Sequence, residues 1–149
     1  MFKRSRLTYF MTAALLSTLV LAGGALAQPT AQASEVRNRI VMQVSDADPA
    51  KWNLALNNAR NLQVDLGAKN VEIEIVAYGP GIGMLKADSV VGNRIDEALG
   101  TGVKVVACEN TMRGQKLTKD DMLNGIGYVN AGVVELMQKQ QQGWAYLRP

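Results

Sequence analysis

Apolar residues follow two rhythms along this chain: short runs bounded by turn residues, and longer stretches that repeat at helical spacing. Ile40 to Val44 predicts a first strand. Asp48 then precedes Pro49, a side-chain acceptor ahead of a proline at the first helical position, which marks a helix start. Trp52, Leu56, Ala59, Leu62 and Leu66 recur at helical spacing as far as Gly67, placed where a C-cap glycine belongs. Trp52 is expected to anchor the core. From Val71 to Tyr78, Val71, Ile73 and Ile75 alternate with Glu72 and Glu74 before the run turns fully apolar, so the strand should begin with one face partly solvated.

The loop Gly79-Pro80-Gly81-Ile82-Gly83 follows, and Val90, Val91, Ile95, Ala98 and Leu99 predict the next helix, closed by Gly100. Val103, Val105, Val106 and Ala107 form a short buried strand that ends at Cys108. Asn110 and Thr111 come next, both suited to capping a first helical turn. Thr118 with an acid at the third helical position predicts another N-terminus, with Leu117 and Met122 as its hydrophobic staple. Gly127 to Val129 is a brief fourth strand. Val133, Val134, Leu136, Met137 and Gln140 make a last helix ending at Gly143, and Trp144 to Leu147 is a fifth strand. Such alternation calls for an α/β fold: a mainly parallel sheet with right-handed crossovers and helices on both faces. Met42, Met84, Met112, Met122 and Met137 are expected as core filler.

The first residues stand apart. Lys3, Arg4 and Arg6 precede an apolar stretch from Leu7 to Leu26, and Ala25-Leu26-Ala27 supplies the small residues that a signal peptidase reads. Residues 1–27 are therefore expected to be a signal peptide, with Ala31-Gln32-Ala33 as a second cleavage site and 28–38 as a flexible leader. That leaves residues 39–149 as one domain, exported to the periplasm, with no stable membrane span after cleavage.

Without that segment the charge picture changes. The 16 Lys+Arg and 13 Asp+Glu give +3, but losing Lys3, Arg4 and Arg6 leaves 13 of each sign. No basic stripe remains to track phosphates, so nucleic acid is not an expected partner. The sequence holds no histidine, which removes imidazole bases and Cys-His metal sites. The glycine loop lacks the spacing of a dinucleotide fingerprint, and no cofactor is expected. Asp46 and Asp48 are better read as a solvated loop residue and an N-cap than as an acid/base pair.

Cys108 is the single cysteine, at the carboxyl end of a strand where a helix begins. Reactive groups collect there in open α/β sheets. Helix N–H groups and Arg113 would favour its thiolate, while Glu109 opposes it. A small buried apolar role is the alternative.

Three stretches together, Ala107-Cys108-Glu109-Asn110-Thr111-Met112, the Tyr78-Gly79-Pro80-Gly81-Ile82 turn with Leu85, and Gly143-Trp144-Ala145-Tyr146-Leu147-Arg148-Pro149, resemble the DsrE/DsrF-like sulfur-relay family. More closely they resemble its exported single-domain members. The resemblance implies a three-layer α/β/α sandwich on a five-stranded parallel sheet, assembled as a homo-oligomer such as a trimer or hexamer. It also implies that Cys108 carries sulfane sulfur as a persulfide between donor and acceptor proteins or small polysulfides. Asn110, Thr111 and Arg113, with Gly79, Gly81 and Gly83, would then shape the binding site. A non-catalytic module that binds a small ligand or a protein, with a structural Cys108, is the competing reading.

Overall fold

The computed structural model describes residues 38–149. The expected signal peptide, and the leader up to residue 37, lie outside the described residues. Five strands carry the fold: β1 (Asn38–Val44), β2 (Val71–Ala77), β3 (Lys104–Cys108), β4 (Gly127–Val129) and β5 (Ala145–Leu147). They make one sheet in the order β4-β3-β2-β1-β5, and every neighbouring pair is parallel. Four helices connect them: α1 (Pro49–Leu66), α2 (Gly92–Gly100), α3 (Glu109–Gly114) and α4 (Gly132–Gln141).

Strand order and crossover handedness together decide the faces. The chain steps one way from β1 to β4, then returns across the sheet to place β5 beside β1. Right-handed crossovers put the helices of the outward steps on one face and the returning helix on the other. The packing agrees. Ile40, Met42, Val44, Ile73, Ile75, Val105 and Ala107 face a core shared with α1, α2 and Met112 of α3. The alternate residues Val41, Val76 and Val106 face Leu136 of α4 and Trp144. The architecture is α/β with helices on both sides of a parallel sheet, as the alternation predicts.

Local signals hold at several element ends. Asp48 caps α1 by accepting the Ala50 N–H at 2.8 Å, and Gly67 closes the helix at φ +83°. Trp52 is buried and its indole N–H donates to the Asp46 carbonyl at 2.7 Å. Thr118 and Asp121 form the expected capping box, although the segment they start, Lys119–Asp121, is a single 3-10 turn rather than an α-helix.

The structure corrects five expectations. β1 begins at Asn38, within the expected leader, because Asn38 pairs with Val71 and its side-chain amide donates to the Asn70 carbonyl. α2 starts at Gly92, leaving Val90 exposed ahead of it and Val91 as a buried N-cap residue. Glu74 is 3% exposed rather than partly solvated, because α4 covers it and Lys139 reaches its carboxylate at 2.6 Å. Met137 is 48% exposed and fills no core. Asn110 and Thr111 lie inside α3; Cys108 itself is its N-cap residue.

Candidate functional site around Cys108

β3 delivers Cys108 to the carboxyl edge of the sheet on the α4 side, because it alternates with Val106, which packs toward that helix. At φ −77° and ψ 111° its backbone is still extended, and the helix turns only after it. The residue is 4% exposed. Its Sγ is nonetheless surrounded by polar donors. The backbone N–H of Gly132, first residue of α4, donates to Sγ at 3.2 Å. The Thr111 hydroxyl and the first amides of α3 also lie where they favour the charged form of the sulfur.

These donors decide the thiol's protonation. Burial pushes the Cys108 pKa up, but the hydrogen bonds from the Thr111 hydroxyl and from the Gly132, Thr111 and Asn110 amides together bring it below the ordinary 9.0. The partial positive charge at the α4 N-terminus acts in the same direction. So the thiol is buried like a structural cysteine and polarised like a reactive one.

Each residue expected at the site has a definite place. Thr111 is held by the loop before it in sequence: the Gly79 N–H donates to Thr111 Oγ1 at 2.9 Å, fixing the hydroxyl beside the sulfur. Gly79 takes φ +55°, a conformation that favours glycine. Asn110 donates its backbone N–H to the Asn130 carbonyl at 3.1 Å. Arg113 donates to the side-chain oxygens of Asn110 and Asn130, so it braces the loops around the thiol. Gly81 and Gly83 serve packing. A Cβ on Gly81 would stand 2.3 Å from the Val44 carbonyl oxygen, and one on Gly83 would meet the Trp52 ring at 3.3 Å.

Two participants were missed from sequence, Asn130 and Gly132. A Cβ on Gly132 would press on Tyr78 at 3.0 Å, so the glycine lets α4 settle close enough to reach the sulfur. The signal available was the Asn130-Ala131-Gly132 loop after a strand, informative only once β4 is known to lie beside β3. The topological reversal lies elsewhere, between β1 and β5, where Arg148 pairs with Asp46 at 3.6 Å. Among the described residues no group of three or more Cys, Asp or Glu side chains could hold a metal ion.

The sequence profile described as the DsrE/DsrF-like family matches residues 39–149. The chain belongs to the DsrE/DsrF-like family. No curated protein matches the chain. Among solved structures it is similar to MTH1491 of Methanobacterium thermoautotrophicum, described as a protein of unknown function, with 38% identity and a TM-score of 0.72 over 75% of this chain and 99% of that one. BT1422 of Bacteroides thetaiotaomicron, likewise of unknown function, shares 18% identity at a TM-score of 0.64 over 78% of this chain and 99% of its own. The ychN protein of E. coli shares 15% at 0.58, covering 75% and 99%. The last two likenesses show the DsrE-like fold alone. Family membership links the chain to sulfur relay in general terms.

Proposed function

We propose that this protein is an exported sulfur carrier that holds sulfane sulfur as a persulfide on Cys108 and passes it to an acceptor thiol. The observation that carries the reading is the Gly132 N–H donated to the Cys108 sulfur, whose pKa is held below the ordinary value, in a member of a family linked to sulfur relay. The thiolate is the sulfur nucleophile, and a terminal persulfide anion would be stabilised by the same donors. Transfer onward is the reverse exchange: the acceptor thiolate takes the outer sulfur and Cys108 leaves as the stabilised thiolate.

Export rests on the basic, apolar and small-residue pattern of residues 1–27. Self-association rests on the α4 face. Val133 and Met137 stand exposed beside Tyr146 of β5, with Val134 and Leu147 also exposed on these two elements. We place the contacts of a homo-oligomer there.

The test is cyanolysis. Protein treated with tetrasulfide and freed of excess reagent should release thiocyanate in proportion to chain concentration, and Cys108→Ser should release none. The burial of Cys108 favours the competing reading of a binding module with a structural cysteine. No thiocyanate above the Cys108→Ser background would establish that reading and end the carrier one.

A further inference from the structure

α1 and α2 pack over the same face of the sheet, and two sets of hydrogen bonds fix their spacing. Arg94 of α2 donates to the side-chain oxygens of Asn53 and Asn57 on α1, the latter at 2.7 Å. Nearer the amino ends of the strands, Gln63 Nε2 donates to the Thr101 carbonyl at 2.9 Å. These ties bound a cleft of about 190 Å³. One wall repeats at helical spacing as Leu56, Ala59 and Arg60, the other as Arg94, Glu97 and Ala98. Ala59 and Ala98 bring one methyl each to a seam that longer side chains would close.

The cleft is apolar at its floor and charged at its rim. Leu56, Ala59 and Val103 are the buried side of its lining. Arg60 and Arg94 both line it, and neither has an ion-pair partner among the described residues. The acceptors on Arg94 are neutral amide oxygens, which hold the guanidinium in place without cancelling its charge. Glu97 lines the same cleft, so the rim carries one net positive charge. That balances a monoanion, and a guanidinium fork matches the two oxygens of a carboxylate. The volume equals about six waters, less than a drug-sized ligand needs, and suits an acid with a short apolar chain. We propose that the α1–α2 cleft binds a small aliphatic monocarboxylate, its carboxylate on Arg94 and Arg60 and its chain over Ala59 and Ala98.

This site is separate from the thiol and stands whether or not the carrier reading does. Val103 precedes β3 whereas Cys108 ends it, and the cleft lies on the α1 face while Cys108 is turned to the α4 side. A ligand seated there touches both helices at once, so its binding also stabilises the folded chain.

The probe is hexanoate, titrated into the full chain and followed by the methyl resonances of Ala59, Ala98 and Val103, which should shift and saturate. Hexanol, which lacks the charge, and acetate, which lacks the chain, should each bind at least about tenfold more weakly. Arg60 is exposed, so Arg60→Gln leaves the core intact. It should weaken hexanoate binding about tenfold, the worth of one charge-assisted hydrogen bond. Ala98→Leu fills the gap and should remove binding, with the fold retained by circular dichroism. Hexanol bound as tightly as hexanoate would reveal a gap that reads no charge and would overturn the proposal. Inorganic phosphate bound as tightly, or shifts that never saturate, would overturn it too. So would hexanoate binding unchanged by Arg60→Gln.

Discussion

Thr111 has an ordinary side chain whose effect comes from where its hydroxyl is held. With Gly79 N–H on its oxygen, the hydroxyl proton is left for the sulfur, which supports the thiolate form. Alkylation of native Cys108 should therefore rise with pH through a midpoint below the ordinary 9.0. Thr111→Val should move that midpoint up and slow labelling at neutral pH, whereas Thr111→Ser should keep it. An unmoved midpoint in Thr111→Val would remove the hydroxyl from the account. Because folding lowers this pKa, the thiolate contributes stability at high pH that is lost as pH falls through the folded value.

Gly81 is a second residue whose role is geometric. Adding one methyl group drives it into the Val44 carbonyl, and backbone cannot yield as a flexible side chain does. Gly81→Ala should cost about 3 kcal/mol in denaturant unfolding, at the upper end of overpacking effects. A loss within experimental error would contradict the close approach. The sequence made both residues visible without showing what each one touches. Thr111 stands out as a cap and as a neighbour of the thiol, and Gly81 as part of a turn shaping the site, but one chain in isolation shows residue types and not which backbone lies against them.

α4 is held to the sheet by charge as well as by Leu136. Lys139 lies between Glu74 at 2.6 Å and Glu135 at 3.4 Å, with its ammonium 4.3 Å from the centre of the Trp144 ring. Glu74 Oε1 and Trp144 Nε1 are buried without a hydrogen-bond partner among the described residues, so this cluster is only partly satisfied. Lys139→Met would leave the Glu74 carboxylate buried and unpaired, at a cost of about 3 kcal/mol in denaturant unfolding. The double change Glu74→Leu, Lys139→Met should be milder than the single one.

Burial raises the Glu74 pKa above its ordinary 4.5, with Lys139 opposing and Glu135 assisting. Folding then favours the protonated form. Stability should fall as pH rises from the unfolded value through the higher folded one, and Glu74→Gln should flatten that slope. An unchanged slope in the variant would assign the pH dependence elsewhere. The alternation in Val71–Tyr78 suggested a solvated edge here because glutamate usually faces water. Only the return of α4 across the sheet shows that this glutamate does not.

For the whole molecule, the class of fold was legible and the strand order was not. Alternating strands and helices, with apolar strands throughout, required a parallel sheet. Nothing local in Trp144–Leu147 says that it lies beside β1 rather than β4, a distinction on which the second face, the α4 lid and the Gly132 contact all depend. The same return leaves an open groove of about 550 Å³ between Tyr78, Tyr146 and the exposed side of α4. If this side joins copies of the chain, Val134→Glu with Met137→Glu should reduce the mass found by sedimentation and leave the fold intact by circular dichroism. An unaltered assembly would place the contact on another face.

The central claim is that the Cys108 thiolate, with the Gly132 amide on its sulfur, takes up sulfane sulfur. Intact mass of the purified protein before and after tetrasulfide tests it most directly. Wild type should gain the mass of sulfur in whole-atom steps, reversed by a reducing thiol, and Cys108→Ser should not change. A wild-type chain that gains nothing, or a Cys108→Ser chain that gains as much, would contradict it.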